Sequence, residues 1–170
     1  VVPVPDDKRA ITLHHLLIHT SGLTDQLGGD YEALSREEML DGALESELRS
    51  VPGTEYSYSN LGYSILAAIV EKASGTSYER FLASHLFEPA GMRHTGYVLP
   101  EWRPNQVAVE YDENGEPKGR PFDHPWAEDG PYWNLRGNGG MLSTARDMSR
   151  WHVALRGDEV LSEGAKDKLF

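Results

Sequence analysis

The 170-residue chain contains no cysteine, little basic charge and no long apolar run. The missing cysteines exclude disulfides and thiolate metal sites. The longest apolar run, Ile65 to Val70, is far shorter than the roughly 20 residues that span a bilayer. With 16 Lys and Arg against 27 Asp and Glu, the net charge is −11. An acidic surface is repelled by nucleic acid and by anionic membranes, which argues against both as partners.

The remaining composition is that of a soluble globular protein, with 39% hydrophobic and 25% charged residues. The chain is long enough to bury a core. Neither end resembles a domain boundary, because Val1 opens the chain without a methionine and Ser162 to Phe170 begins a helix that stops at once. We therefore predict that residues 1–170 form a single partial domain of a longer protein.

Helical patterns dominate the chain. Capping residues followed by apolar residues at helical spacing predict helices that begin at Thr12, Ser35, Asn60, Thr76 and Thr144. Ser35 and Thr76 each have a glutamate three residues later, the spacing of a capping box.

Residues 97–135 differ from the rest, because proline, glycine and aromatic residues are frequent there. Asn114-Gly115 follows the alternating Val107, Val109 and Tyr111, which predicts one β-hairpin within an otherwise irregular excursion. The predicted fold class is mainly α with a small β-hairpin region.

Tyr58-Ser59-Asn60 is the segment most suggestive of chemistry. In an extended segment alternate side chains point the same way, so Tyr58 and Asn60 would face one spot at the N-terminus of a helix. The helix dipole favours negative charge there, and with a nearby Lys or Arg it would lower a tyrosine pKa for general-base work. The alternative is structural, with Asn60 capping the helix and Tyr58 packing beside it.

Four segments in order resemble the serine β-lactamase-like family, which includes class C β-lactamases, D-alanyl-D-alanine carboxypeptidases and esterases. They are Ile11 to Leu23, Pro52 to Tyr63, Glu88 to Met92 and Gly139 to Met148. The resemblance implies the helical lobe of an α+β fold whose sheet comes from both chain ends. The apolar helix faces that would meet that second lobe are expected to be exposed.

In such enzymes the serine of a Ser-x-x-Lys motif attacks a carbonyl, and a Lys-Thr-Gly-like triplet lines the cleft. The resemblance assigns Tyr58 as the general base. It assigns Asn60 as the residue that orients the lysine and contacts substrate. Gln26 falls near a position that binds the substrate's amide. No cofactor is implied.

The departures from the family pattern limit what this chain can do. None of its five lysines has a serine three residues before it, and we interpret His94-Thr95-Gly96 as a structural turn rather than the Lys-Thr-Gly-like triplet.

We predict that the chain alone is inactive and that its partners are a small-molecule substrate and the missing α/β lobe of its own protein. The whole protein is expected to act through an acyl-enzyme on an ester, amide or β-lactam, with a slight preference for esterase or general hydrolase activity. The alternative is a non-catalytic ligand-binding relative.

Two other groups of residues suggest binding. His15 and His19 have a spacing that can hold a metal, but no third ligand is convincingly placed, so no metal site is predicted. The aromatics of the excursion would either stack on a ligand or pack against the helices. They are Trp102, Trp126, Tyr132 and Trp133, of which Trp133 is the candidate for substrate binding.

Overall fold

The computed structural model describes residues 3–169 and is mainly helical, as predicted. Its helices are α1 (Leu13–Leu17), α2 (Arg36–Glu45), α3 (Asn60–Ser74), α4 (Tyr78–Leu82, continued as a π-helix over Ala83–Phe87), α5 (Ala145–Arg156) and α6 (Glu163–Leu169). The sheet within residues 3–169 has two short strands, β1 (Glu110–Tyr111) and β2 (Pro117–Gly119). Val1 and Phe170, on which part of the boundary argument depends, lie outside the described residues.

Three of the predicted helix starts have the expected side-chain caps. Thr12, Ser35 and Thr144 each accept a hydrogen bond from the backbone N–H three residues later. The capping box of Ser35 with Glu38 is complete, because the glutamate accepts in return from the Ser35 N–H. These caps satisfy donors that a helix N-terminus otherwise leaves free.

The capping box predicted for Thr76 and Glu79 is wrong. Helix α4 begins after Ser77 and has no side-chain cap. The Glu79 carboxylate instead accepts three backbone N–H groups, from Tyr97 at 2.6 Å, Val98 at 2.9 Å and Leu99 at 3.0 Å. Three bonds to one buried carboxylate satisfy its charge better than one bond at a helix end, so Glu79 fixes the start of the excursion.

The predicted hairpin is present at Asn114-Gly115. Gly115 has φ +81°, a conformation that favours glycine, and β1 pairs with β2 in antiparallel fashion. The excursion is held against the helical part by Tyr31, whose hydroxyl donates to Glu110 and whose ring stacks on His124 with 3.8 Å between ring centroids. Burial, together with the Glu110 charge, raises the pKa of Tyr31 to about 12.

The core lies between α2, α3 and the end of the excursion, which contributes Trp133. Met39 and Ala43 of α2 meet Leu61 and Ala67 of α3. The returning chain approaches α3 closely at Gly137, where φ is +90° and an added Cβ would lie 2.6 Å from the Ala67 Cβ. A side chain cannot be accommodated there, so this contact requires glycine.

Apolar side chains remain exposed on several helices, as predicted, and α1 and α5 each carry at least two of them. On α1, Leu13 and Leu17 are 55% and 52% exposed; on α5, Met148 and Val153 are 51% and 63% exposed. What covers these faces in the whole protein stays a prediction. Among residues 3–169, no helix is both long and apolar enough to cross a membrane.

Asp147 anchors α5 to the turn at His94-Thr95. Its side chain is 1% exposed and accepts from the His94 N–H at 2.6 Å, the Thr95 hydroxyl at 3.1 Å and the Arg150 guanidinium at 2.8 Å. Burial alone would raise the pKa of Asp147, but these bonds outweigh it and hold the pKa below its ordinary value. The carboxylate therefore stabilises the fold only while it is ionised.

Replacing Asp147 with Asn should lower the free energy of unfolding by about 2 kcal/mol at neutral pH, because the buried donors lose an ionised acceptor. A depressed folded pKa gives stability that is present above the unfolded value of about 3.9 and lost as pH falls through the folded pKa. The variant should lack that part of the acid dependence in urea unfolding measured from pH 7 to pH 2. The exposed Asp167→Asn is the control, and equal effects of the two changes would contradict the assignment.

Candidate functional site

The first turn of α3 carries the segment that the sequence analysis singled out. A helix leaves its first N–H groups without an intrahelical partner, and here each has another acceptor. The Ser59 N–H donates to His19 Nδ1 at 3.2 Å and the Gly62 N–H to Ser59 Oγ at 3.0 Å. The Asn60 N–H donates to Asp25 Oδ1 at 3.1 Å and the Leu61 N–H to the Asp25 carbonyl at 2.7 Å. Residues 19–25 therefore fix the position of this turn.

The alternative role of Asn60 as the helix cap is wrong, because the cap is Ser59. Ser59 is 1% exposed, and its hydroxyl donates to the Thr24 carbonyl at 2.8 Å while accepting from Gly62. This buried hydroxyl bridges two backbone segments, which an asparagine at the first helical position could not do. Ser59 is extended, with φ −144° and ψ 107°, so its neighbours Tyr58 and Asn60 flank it outside the core.

Asn60 is held through its amide. Its Nδ2 donates to Asp25 Oδ1 at 3.1 Å, the same oxygen that accepts the Asn60 N–H. This leaves the amide Oδ1 without a hydrogen-bond partner in residues 3–169, so it is free to accept from a group outside them. Gln26 follows Asp25 directly and is exposed, which places it beside this turn.

Tyr58 is 53% exposed, and its ring stacks on the imidazole of His19 with 4.4 Å between centroids. Within the part of the chain that the structure describes, its hydroxyl has no hydrogen-bond partner. The phenol is thus supported from one side and open to a reactant.

A carboxylate already lies at the N-terminal end of α3, because Asp25 accepts a hydrogen bond from the Asn60 N–H there. Its negative charge offsets the positive end of the dipole. A tyrosine here needs a cation from elsewhere to become a base.

The side chain of Asn138 also contacts the first turns of α3. Its Nδ2 donates to Ser64 Oγ and to the Asn134 carbonyl, both at 2.9 Å, and contacts the Asn60 carbonyl at 3.4 Å. The glycine-rich segment around Asn138 therefore ties the end of the excursion to α3.

Trp133 does not join this group of residues. It is 7% exposed and packs in the core with Met39 and Leu61, while its backbone N–H donates to the Leu34 carbonyl at 3.0 Å. The Arg136 guanidinium lies 5.1 Å from the centre of its ring. These contacts bury the indole, so Trp133 packs in the core, and its role in substrate binding stays a prediction.

The two histidines considered for metal binding are occupied with backbone groups. His15 Nδ1 accepts from the Thr12 N–H at 3.4 Å, and His19 Nδ1 accepts from Ser59. Residues 3–169 contain no group of three or more His, Cys, Asp or Glu placed to hold a metal ion. His94-Thr95-Gly96 is a turn packed on α5, since Thr95 is 8% exposed and bonded to Asp147.

A family model described as Beta-lactamase matches residues 3–170 of the chain. The chain belongs to this family. Penicillin-binding protein 4* of Bacillus subtilis (strain 168) is 30% identical over 176 residues, which cover 95% of this chain and 39% of that protein. The chain thus spans well under half the length of this relative.

Solved structures agree with the family assignment. A penicillin-binding protein from Bacillus halodurans superposes with a TM-score of 0.75 at 27% identity, over 98% of this chain and 53% of that one. D-amino acid amidase from Ochrobactrum anthropi SV3, solved with D-phenylalanine, superposes with a TM-score of 0.68 at 26% identity, over 95% and 49% of the two chains. The fold of this β-lactamase family member is therefore the helical part of the family's architecture.

Replacing Asp25 with Ala should lower the free energy of unfolding by about 1–2 kcal/mol, because the Asn60 N–H and amide lose their acceptor. The matched control is Asp30→Ala in the same loop, where the side chain is exposed and the change should stay within about 0.5 kcal/mol. Urea unfolding of the two variants measures the difference. Equal stabilities would show that Asp25 does not hold the turn.

Proposed function

We propose that the protein containing this chain is a serine hydrolase that forms an acyl-enzyme, with Tyr58 as its proton carrier. The supporting observation is the first turn of α3, where an exposed phenol and a held carboxamide stand on a backbone fixed by residues 19–25. Family membership supports the reaction class, and this geometry supports the roles that we propose for Tyr58 and Asn60.

In the proposed reaction, a serine hydroxyl supplied by the rest of the protein attacks the carbonyl carbon of the substrate. Its proton passes to the Tyr58 phenolate oxygen as the new C–O bond forms. When the tetrahedral intermediate collapses, Tyr58 returns the proton to the leaving alcohol or amine. Water then attacks the acyl-serine by the same route, which releases the acid and restores the serine.

The contacts of two further residues support the roles that we propose for them. The free Oδ1 of Asn60 would accept from the lysine of a Ser-x-x-Lys motif, and that ammonium would supply the cation that Tyr58 needs beside Asp25. Gln26 would donate its side-chain amide to a carbonyl of the bound substrate. Its exposure next to Asp25 suits this role.

We propose that the substrate is an ester or an amide and that the protein is not a dedicated β-lactamase. The likeness to D-amino acid amidase supports an amide substrate, because it covers nearly the whole chain above 25% identity. The same residues serve all three carbonyl classes, and the pocket around them decides between the classes.

A non-catalytic ligand-binding relative is the second candidate, because no lysine of this chain has a serine three residues before it. Treating the whole protein with a serine-directed fluorophosphonate separates the two. The hydrolase should gain the mass of one adduct, whereas the binding relative should keep its mass.

Replacing Tyr58 with Phe in the whole protein should lower kcat for p-nitrophenyl acetate by about 10²- to 10⁴-fold, because the hydroxyl that carries the proton is lost. The matched control is Tyr56→Phe, since Tyr56 is a neighbouring tyrosine that is 70% exposed and touches the same imidazole edge-on. This control should keep nearly full turnover. Full activity in the Tyr58 variant would refute the proposed role.

A further inference from the structure

His19 occupies an unusual backbone position directly behind Tyr58. Its φ of +57° is the one positive value at a non-glycine residue among residues 3–169. Such a conformation is uncommon for residues with a Cβ, although His, Asn and Asp adopt it more often than most. The Ser57 N–H donates to the His19 carbonyl at 2.8 Å, so the backbone of this position is itself bonded to the segment that precedes Tyr58.

The imidazole makes two contacts with the Tyr58 segment. Its face stacks on the Tyr58 ring at 4.4 Å between centroids, with 30° between the ring planes. Its Nδ1 accepts the Ser59 N–H at 3.2 Å, which places the ring hydrogen of the neutral form on Nε2. One side chain thus controls both the phenol ring and the backbone that carries it.

The imidazole is itself held in place by α3. Tyr63 stacks on it at 5.0 Å between centroids, and the Tyr63 hydroxyl donates to the Leu17 carbonyl at 3.0 Å. Because α1, His19 and α3 are linked in this way, the ring cannot turn without breaking a hydrogen bond or a stacking contact. It is a fixed support.

We propose that His19 is a positioning residue for Tyr58, a role that depends on the proposed function above. Its ring sets where the phenol oxygen lies, and its Nδ1 keeps the adjacent backbone in register. Misplacement of a reacting group by about 1 Å can cost on the order of 100-fold in rate. The contribution of His19 is therefore expected in the rate of the chemical step and not in substrate binding.

Imidazole combines two properties that no other side chain offers together at this position. Phenylalanine has a flat face but no acceptor for the Ser59 N–H. Asparagine has an acceptor and tolerates positive φ, but it has no ring on which the phenol can stack. Glycine tolerates the backbone and provides neither contact. Phenylalanine, asparagine and glycine at position 19 therefore distinguish the effects of ring stacking, of the hydrogen bond to Ser59 and of the backbone conformation.

The test uses the whole protein and measures how fast a fluorophosphonate labels its serine, over a range of probe concentrations. His19→Gly should lower the maximal labelling rate by about 10- to 100-fold and leave the half-saturating concentration within about twofold. His19→Asn should recover part of the loss, because it restores the acceptor alone. His14→Asn, on the exposed side of α1, is the control and should label like the parent protein.

A double-mutant cycle with Tyr58→Phe shows whether His19 acts through Tyr58. If it does, adding His19→Gly to the Tyr58 variant should change the labelling rate by less than about twofold. A full further loss in that background would overturn the positioning role, as would parental labelling by His19→Gly alone. An equal loss in the Gly and Asn variants would overturn the part assigned to Nδ1.

The failure of the underlying function has a different signature. A parent protein that takes up no adduct would refute the hydrolase proposal. A Tyr58→Phe variant that labels at the parental rate would refute the role of Tyr58. Either result would remove the positioning role of His19 as well. Circular dichroism melting of each variant separates these results from unfolding, since glycine and asparagine both suit the backbone of His19.

Discussion

The first turn of α3 depends on one constraint, which is that backbone N–H groups at a buried helix end must find acceptors. Here four of these N–H groups donate to the Ser59 hydroxyl, to His19 Nδ1 and to the side chain and carbonyl of Asp25. A segment 35 or more residues earlier in the sequence thereby becomes part of the site. These hydrogen bonds fix the positions of Tyr58 and Asn60. Ser59 between them is buried in the core, and Tyr58 is exposed to solvent.

The same arrangement leaves the candidate site open to groups outside residues 3–169. The phenol of Tyr58 and the amide oxygen of Asn60 are open, while the Asp25 carboxylate brings negative charge to the helix end. Proton transfer by a tyrosine in this field requires a nearby cation. In the proposed function that cation is a lysine from the remainder of the protein. The same remainder of the protein is expected to cover the apolar surface of α1.

Local signals predicted the elements well and the contacts between them poorly. Thr12, Ser35 and Thr144 cap helices as their spacing indicates, because capping is decided within one turn of chain. Glu79 has the same local signal but turns to the backbone at Tyr97, since a distant set of three donors outweighs one cap. The roles of Asp25, His19 and Asn138 are long-range as well. No periodicity in their neighbourhoods reveals them, although His19 lies in the segment that carried the family resemblance.

Trp133 shows the opposite case. The aromatic composition of the excursion made it a candidate ligand contact, whereas the structure buries it between α2 and α3.

Amide hydrogen exchange at Ser59, Asn60, Leu61 and Gly62 tests the central claim most directly. An ordinary helix N-terminus exchanges these amides rapidly, because they lack intrahelical partners. If residues 19–25 and the Ser59 hydroxyl accept from them as described, NMR-detected exchange in the whole protein should show all four protected to an extent approaching that of the middle of α3. Rapid exchange at these four amides, with the middle of the helix still protected, would show that the turn is not fixed and would contradict the account.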